Sequence, residues 1–169
     1  MNPEEAAEET LCPIARALSV ACDRGTLLIM RELSMGSHRF DDLQAQTGLS
    51  PTLLSARLKR LEETGIIERR IYSSKPQRYE YHATEKGMDL DAVLVMLRAW
   101  GMKWTPYEEG QGPAIGLKDR QTGQDVNYDT PITAGFRLGD CDAAISPEFA
   151  NERAARRVKF QQGRRTKSS

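Results

Sequence analysis

The sequence lacks the features that mark membrane, disulfide-rich and metal-binding proteins. Its apolar runs fall well short of the ~20 residues that a membrane-spanning helix needs. It has three cysteines and two histidines, without a CxxC pair, which argues against a disulfide framework or a zinc site. The acidic N-terminus has no apolar core of a signal peptide, so the cytoplasm is the expected compartment.

Catalytic signatures are also missing from the sequence. We find no glycine-rich phosphate loop, no metal-spaced cluster and no combination of nucleophile and base. Asp41 and Asp42 are adjacent carboxylates, but two acids at the start of a predicted helix are explained by the helix dipole. Neither an enzyme nor a bound cofactor is therefore expected.

Charge is balanced over the whole chain but unevenly distributed. Lys+Arg and Asp+Glu both number 24. Residues 1–10 hold four glutamates and no base, whereas residues 153–169 hold seven bases and no acid. Between Arg24 and Gly87 there are 11 bases and 8 acids, a difference of +3, which favours an anionic partner. A solvated, disordered terminus explains the basic tail equally well.

The first half of the chain has the pattern of a short helical bundle. "CPIARALSVAC", "GTLLIMRELS" and "RFDDLQAQTG" each present an apolar face at helical spacing. Asp23 is placed to cap the second of these helices. After a very short turn, Ser50 and Pro51 provide an N-cap and a first-turn proline for a fourth helix, which Gly65 ends.

This fourth helix, "SPTLLSARLKRLEETGIIERR", has two different sides. Leu54, Leu58 and Leu61 recur at i, i+4 and i+7 and predict a buried face. The other side carries short hydroxyls and long cations, and its acids come only in the last turn. Those side chains suit the base edges and phosphates of a DNA major groove.

A β-hairpin and further elements follow. "IIERRIYSS" and "RYEYHAT" flank the turn "SKPQ" and predict two antiparallel strands. "EKGMDLDAVLVMLRAWGMKW" predicts one long helix, and residues 105–152 predict a β-rich extension with the runs "AIGLKD", "QDVNYD" and "ITAGFRL". "SPEFANERAARRVKF" is compatible with a closing helix, capped by Ser146. Cys141, in the turn-like "GDCD", is expected to be exposed.

The order of these elements predicts a mainly α, α+β winged helix-turn-helix with a β-rich C-terminal extension. Double-stranded DNA is then the expected partner, and the hairpin is the wing. Ordinary solvated charges and ion pairs explain each basic residue taken singly, and a winged helix used only for protein contact remains the alternative. The residues predicted to contact DNA are Ser50, Thr52, Ser55, Arg57, Lys59, Arg60, Arg69, Lys75, Gln77 and Arg78.

The residues from Cys12 to Trp104 resemble the HxlR-type winged-helix transcriptional regulators. The most specific segments are the early Cys-Pro, "LLSARLKRLEETGIIERR", "RYEYHATEKG" and "LRAWGMKW". The resemblance implies one domain over residues 12–104, after a flexible acidic lead at residues 1–11. It also implies a recognition helix at residues 51–64, a wing at residues 66–83, and a homodimer at inverted-repeat operators. The expected dimer-interface residues, on the first and last helices, are Ile14, Leu18, Leu97, Trp100 and Trp104.

Two positions bear on an effector, which is either an oxidant or a small molecule. Family members usually have tryptophan where this chain has Gly25, a change that removes a large side chain and either leaves a pocket or alters packing. Some relatives sense oxidants at the position of Cys12, and a helix N-terminus stabilises the reactive thiolate. Packing of Cys12 in the dimer interface is the alternative, and Cys22 is expected to lie in the core.

Overall fold

The computed structural model describes residues 11–21, 23–105 and 107–165 of the chain. The chain divides into two compact units, Met1–Gly87 and Met88–Ser169. The first unit contains α1 (Pro13–Ala21), α2 (Arg24–Ser34), α3 (Phe40–Thr47), α4 (Pro51–Glu63), β1 (Ile67–Ser74), β2 (Gln77–Ala83) and the short α5 (Glu85–Met88). The predicted α+β class is confirmed, and no helix among the described residues is long and apolar enough to cross a membrane. Cys22 and the acidic residues 1–10 lie outside the described residues.

The predicted caps define the helices of the first unit. The Asp23 carboxylate accepts hydrogen bonds from the Thr26 amide at 3.0 Å and hydroxyl at 2.7 Å at the start of α2. Ser50 accepts the Leu53 amide at 3.2 Å at the start of α4. Gly48, which ends α3, has a φ of +69°, a conformation that side-chain-bearing residues rarely adopt. The turn between α3 and α4 is therefore short and defined at both ends.

The core of the first unit is built from the apolar faces that the sequence predicts. Ile29 of α2, Leu43 of α3 and three leucines of α4 are at most 2% exposed, and so are Ile66 and Ile67 at the base of the hairpin. Burying each such side chain contributes about 1.5–3 kcal/mol. Gly25 is buried against Leu49, whose methyl carbons would lie 3.5 and 3.7 Å from a Cβ at this position. Leu49 therefore occupies space beside the position of Gly25.

The hairpin is antiparallel, with Ile67 opposite Ala83 and Ser74 opposite Gln77, and its register shifts between Ile71 and Ser73. A third segment adds to it, because Arg39 bridges Glu80 in antiparallel fashion. The Tyr81 amide also donates to the His38 carbonyl at 2.8 Å. The segment that precedes α3 thereby fixes the base of the wing.

The second unit contains α6 (Asp91–Trp104), β3 (Ile115–Asp119), a 3₁₀ turn (Leu138–Asp140), β4 (Cys141–Ile145) and α7 (Pro147–Arg165). β3 and β4 pair antiparallel, from Ile115 opposite Ile145 to Asp119 opposite Cys141. Val95 of α6 packs with Leu117, Val126 and Cys141 in one core. Arg98 donates to the Val126 carbonyl at 3.0 Å and to the Ile115 carbonyl at 2.9 Å, so α6 is bound to the extension through backbone groups.

The second unit differs from the sequence analysis in several respects. The long predicted helix is divided into α5 and α6, and α6 packs with the extension instead of closing a domain at Trp104. "ITAGFRL" forms no strand, and the partner of β3 is the segment Cys141–Ile145. Cys141 is buried, not exposed, because it lies in that strand opposite Asp119. Burial and the neighbouring aspartates raise the pKa of its thiol.

The C-terminal residues also differ from expectation. Residues 153–165 were predicted as part of a disordered tail, but they belong to α7. The closing helix that the sequence allowed from Ser146 onward is the structure observed. Ser146 caps this helix, since its hydroxyl accepts the Phe149 amide at 3.2 Å, and Pro147 takes the first position. Residues 166–169 lie outside the described residues.

Candidate nucleic-acid interface

The helix α4 presents one side to the core and the other to solvent. Leu54, Leu58 and Leu61 are buried, whereas Thr52 and Ser55 are exposed. Lys59 is also exposed, and its ammonium lies 3.6 Å from the carboxylate of Glu63, one helical turn later. Such an exposed pair contributes little to stability, so Lys59 is available to another anion. We define Thr52, Ser55 and Lys59 as the outward face of α4.

Two arginines of α4 that we expected to contact DNA are engaged within the first unit. Arg57 forms an ion pair with Asp23 at 3.1 Å, and both side chains are only about a third exposed. Arg60 donates to the backbone carbonyl of Ser19 in α1. Both arginines flank the buried leucines and attach α4 to the segment between the last turn of α1 and the start of α2. Their contact with DNA stays a prediction.

The environment of Asp23 reflects these contacts. Burial alone would raise the pKa of its carboxyl, but hydrogen bonds from Thr26 and the charge of Arg57 outweigh burial and lower the pKa. Asp23 is thus held in its ionised form by Thr26 of α2, the helix that it caps, and by Arg57 of α4. The ion pair therefore adds to the leucine contacts that hold α4 in place.

The first residue of the predicted interface, Ser50, serves as a cap. It is exposed, but its hydroxyl oxygen already accepts the Leu53 amide. Its structural role is established by this hydrogen bond, while its contact with DNA stays a prediction. The amide ends of a helix also favour an anion such as a phosphate.

The base of the wing is fixed to α4 by Arg69. Its guanidinium lies 3.0 Å from the Glu62 carboxylate and 4.7 Å from the centre of the Tyr79 ring. Arg70 instead pairs with Glu68 on the same strand, and both side chains are exposed. Arg69 therefore connects the recognition helix to the wing, and its contact with DNA stays a prediction.

The tip of the wing carries the remaining predicted residues. Lys75, Gln77 and Arg78 are exposed, next to a turn in which the Ser73 hydroxyl donates to the Pro76 carbonyl at 3.0 Å. Neither Lys75 nor Arg78 forms an ion pair with any of the described residues. We define Lys75, Gln77 and Arg78 as the wing tip.

A cluster of side chains at the base of the wing was not predicted from the sequence. Arg39 lies 3.0 Å from the Glu80 carboxylate and 4.4 Å from the centre of the Tyr72 ring. His38 and His82 stack with ring centres 4.3 Å apart, and the pKa of His82 is lowered by burial and then by His38 and Arg70. These contacts join residues about 40 positions apart, and no local pattern could have identified them.

The residues predicted for the dimer interface and for an oxidant input are exposed in the single chain. Ile14 and Leu18 of α1 are 70% and 55% exposed. Leu97, Trp100 and Trp104 of α6 are each more than half exposed. Cys12, immediately before α1, is exposed as well. Large apolar side chains that remain uncovered on a helix commonly mark an interaction surface.

Comparison with known proteins identifies the family to which the chain belongs. Residues 20–109, more than half of the chain, match the family model described as HxlR-like helix-turn-helix. An uncharacterized HTH-type transcriptional regulator of Mycobacterium tuberculosis is 42% identical over 111 residues, which cover 66% of this chain and 69% of the relative.

Two solved structures are similar over much of the chain. PA1607, a candidate transcription factor, is 30% identical with a TM-score of 0.62, over 76% of this chain and 85% of that chain. The redox regulator HypR in its reduced form is 25% identical with a TM-score of 0.51, over 54% of this chain and 92% of that chain.

These similarities agree with the arrangement of α3, α4 and the wing. The family and its relatives are transcriptional regulators, which confirms the prediction that the chain is not an enzyme. The chain belongs to the HxlR-like helix-turn-helix family of DNA-binding transcriptional regulators.

Proposed function

We propose that this protein is a sequence-specific regulator that acts in the cytoplasm as a homodimer at an inverted-repeat operator. The observation that carries the proposal is the division of α4 into a buried leucine face and the exposed outward face. A helix anchored on one side, with hydroxyls and a cation on the other, is suited to the major groove. The wing tip then reaches phosphates beside the groove.

Within this proposal, the predicted contacts divide between recognition and attachment. Ser55 and Thr52 carry short hydroxyls that act at close range on base edges. Lys59, together with Lys75 and Arg78 of the wing tip, provides long cations for phosphates, which set the register of the protein on the duplex. Arg57 and Arg60 contribute indirectly, because they hold α4 in place.

The homodimer is supported by the exposed apolar residues of α1 and α6. A lone chain would leave the indole rings of Trp100 and Trp104 in water, at 59% and 61% exposure. Covering such rings stabilises an assembly by about 25 cal/mol for each Å² of apolar area. A two-fold dimer reads two half-sites about one helical turn, ~10 bp, apart.

An oxidant input at Cys12 completes the proposal. The thiol is exposed and precedes α1, whose apolar residues are assigned to the dimer. The thiolate attacks one oxygen of hydrogen peroxide, the O–O bond breaks, and the products are a sulfenic acid and hydroxide, so the polarity and size of the group change. HypR, a structural neighbour, is a redox regulator. A small-molecule effector is the alternative input.

The test is selection of bound sequences from random duplex DNA by the purified, reduced protein, repeated after mild peroxide. Recovery of an inverted repeat supports the proposal, and loss of that enrichment on oxidation supports the input. If the protein enriches no sequence in either the reduced or the oxidised state, the result favours the alternative, a winged helix used for protein contact. Affinity for the recovered operator should fall steeply with added salt.

Variants of the outward face then test the assignment of residues. Lys59→Ala and Ser55→Ala should each weaken operator binding by about tenfold, equivalent to ~1.4 kcal/mol within the range for a base or phosphate contact. Lys118→Ala is the matched control, since Lys118 is an exposed lysine of β3 beside Asp125. Loss of folding or dimerisation in the α4 variants would show that the outward face is misassigned.

A further inference from the structure

The helix α7 concentrates the positive charge of the second unit. Residues 147–165 contain six bases and two acids, whereas residues 88–146 contain five bases and nine acids. Both acids of α7, Glu148 and Glu152, lie in its first two turns. From Arg156 to Arg165 the helix has five bases and no acid. The sign of the charge therefore changes along the helix, and its second half is purely basic.

The second half of α7 is also the more exposed half. Phe149 and Arg153, near the start, are each 9% exposed. Arg157, Lys159 and Arg164 are all exposed. The first half thus includes two buried side chains, whereas the three cations of the second half are exposed. We define Arg157, Lys159 and Arg164 as the basic end of α7.

The helix dipole does not account for this arrangement. Cations are favoured near a helix C-terminus, but the effect is limited to the last turn, so it covers Arg164 and not Arg157. Solvated surface helices commonly mix both signs, because like charges one turn apart are destabilising. Arg157 and Arg164 lie two turns apart on one side of the helix, and Lys159 projects from the other side. The exposed cations therefore surround the second half of the helix.

We propose that the basic end of α7 is a second DNA-binding surface that contacts duplex phosphates without regard to sequence. The proposal rests on the proposed function for the identity of the polyanion. Ten helical residues extend about 15 Å, which matches about four successive phosphates of one strand at 3.4 Å each. Because both units belong to one chain, DNA held by α4 is presented to α7 at a high local concentration.

Phosphate contacts are measured by the dependence of affinity on salt. Each neutralised phosphate contributes about 0.9 to the slope of log K against log salt concentration. Removal of the three charges of the basic end should therefore reduce the slope by up to about 2.7 for each protomer. Between 50 and 200 mM salt, the affinity of the unaltered protein should fall up to about 40-fold more than that of the variant for each bound protomer.

The experiment measures binding of the full chain to the selected operator and to a random duplex of equal length, by fluorescence anisotropy over this salt range. The test variant carries Arg157→Gln, Lys159→Gln and Arg164→Gln. The control variant carries Lys103→Gln, Lys118→Gln and Arg120→Gln, which removes the same charge from the same unit. Circular dichroism checks that both variants keep their helical content.

A smaller slope on both duplexes in the test variant, with an unchanged slope in the control, supports the second surface. Equal slopes in all three proteins would overturn the proposal, even when the operator is still preferred. Binding of the same proteins to vesicles of anionic phospholipid is measured as well. If the test variant keeps its salt slope on DNA but loses binding to the vesicles, the proposal is overturned in favour of a membrane contact. If the unaltered protein prefers no sequence, the proposed function is refuted. The second surface is still tested in that case, because its salt slope is measured on the random duplex.

Discussion

The substitution Gly87→Ala is expected to destabilise the first unit strongly. A Cβ at Gly87 would lie 2.2 Å from the Ile66 carbonyl oxygen, 0.8 Å inside the 3.0 Å limit that real Cβ atoms observe. The same carbonyl accepts the Thr84 amide and hydroxyl, each at 3.1 Å. Because the obstructing atom belongs to the backbone, α5 and the base of the hairpin must move apart.

The magnitude follows from three contributions. Forced displacement of packed groups costs about 1–3 kcal/mol. Weakening of the Thr84 hydrogen bonds costs about 0.5–1.5 kcal/mol each. Alanine recovers about 1 kcal/mol relative to glycine in a helix. At the midpoints of these ranges the net loss in the free energy of unfolding is about 3 kcal/mol, and the melting temperature should fall by about 6–12 °C.

Urea denaturation followed by circular dichroism measures this loss, and Gly101→Ala provides the control. A Cβ at Gly101, inside α6, would meet only the Thr105 hydroxyl at 3.7 Å, an ordinary contact. This second variant should gain about 0.5–1 kcal/mol from helix propensity. A Gly87→Ala protein as stable as the unaltered chain would refute the close approach of α5 to the hairpin.

Three further predictions concern the interface. Arg57→Ala should lower the free energy of unfolding by about 0.5–1 kcal/mol through loss of the ion pair with Asp23, whereas Lys59→Ala leaves it unchanged, as urea titration will show. The pKa of His82 lies below its ordinary 6.5, so the unfolded chain binds the proton more tightly and stability should decline as pH falls below that value. In the His82→Gln variant, the melting temperature should change less with pH between about pH 5.5 and 7.5 than in the unaltered protein. Cys12→Ser should keep the protein on its operator in peroxide, and release of that variant would exclude Cys12 as the sensor.

The first unit was largely predictable because its signals are local. Asp23 and Ser50 precede apolar periodicity and cap the helices that they were expected to cap. The spacing of Leu54, Leu58 and Leu61 was sufficient to identify the buried side of α4. The same periodicity could not distinguish Lys59 from Arg60, because the partner of Arg60 is a carbonyl 41 positions away.

The second unit was harder to predict because its signals are weak and its contacts are distant. "CDAAI" contains a single β-branched residue, and it becomes a strand because it pairs with Ile115–Asp119. Cys141 is buried by that pairing, and Val95 of α6 completes the core beneath it. Loop-rich stretches of this kind acquire structure from tertiary context, which a single sequence does not display.

The division of α4 also has an evolutionary consequence. Residues that hold the helix in place, such as Leu58 and Arg57, differ from those on its outward face. Mutations at Thr52, Ser55 or the wing tip change surface positions, where most substitutions alter stability by less than about 0.5 kcal/mol. On the proposed assignment of the outward face, duplicated genes for such a protein can therefore acquire new target sites in few steps, while inheriting an intact fold.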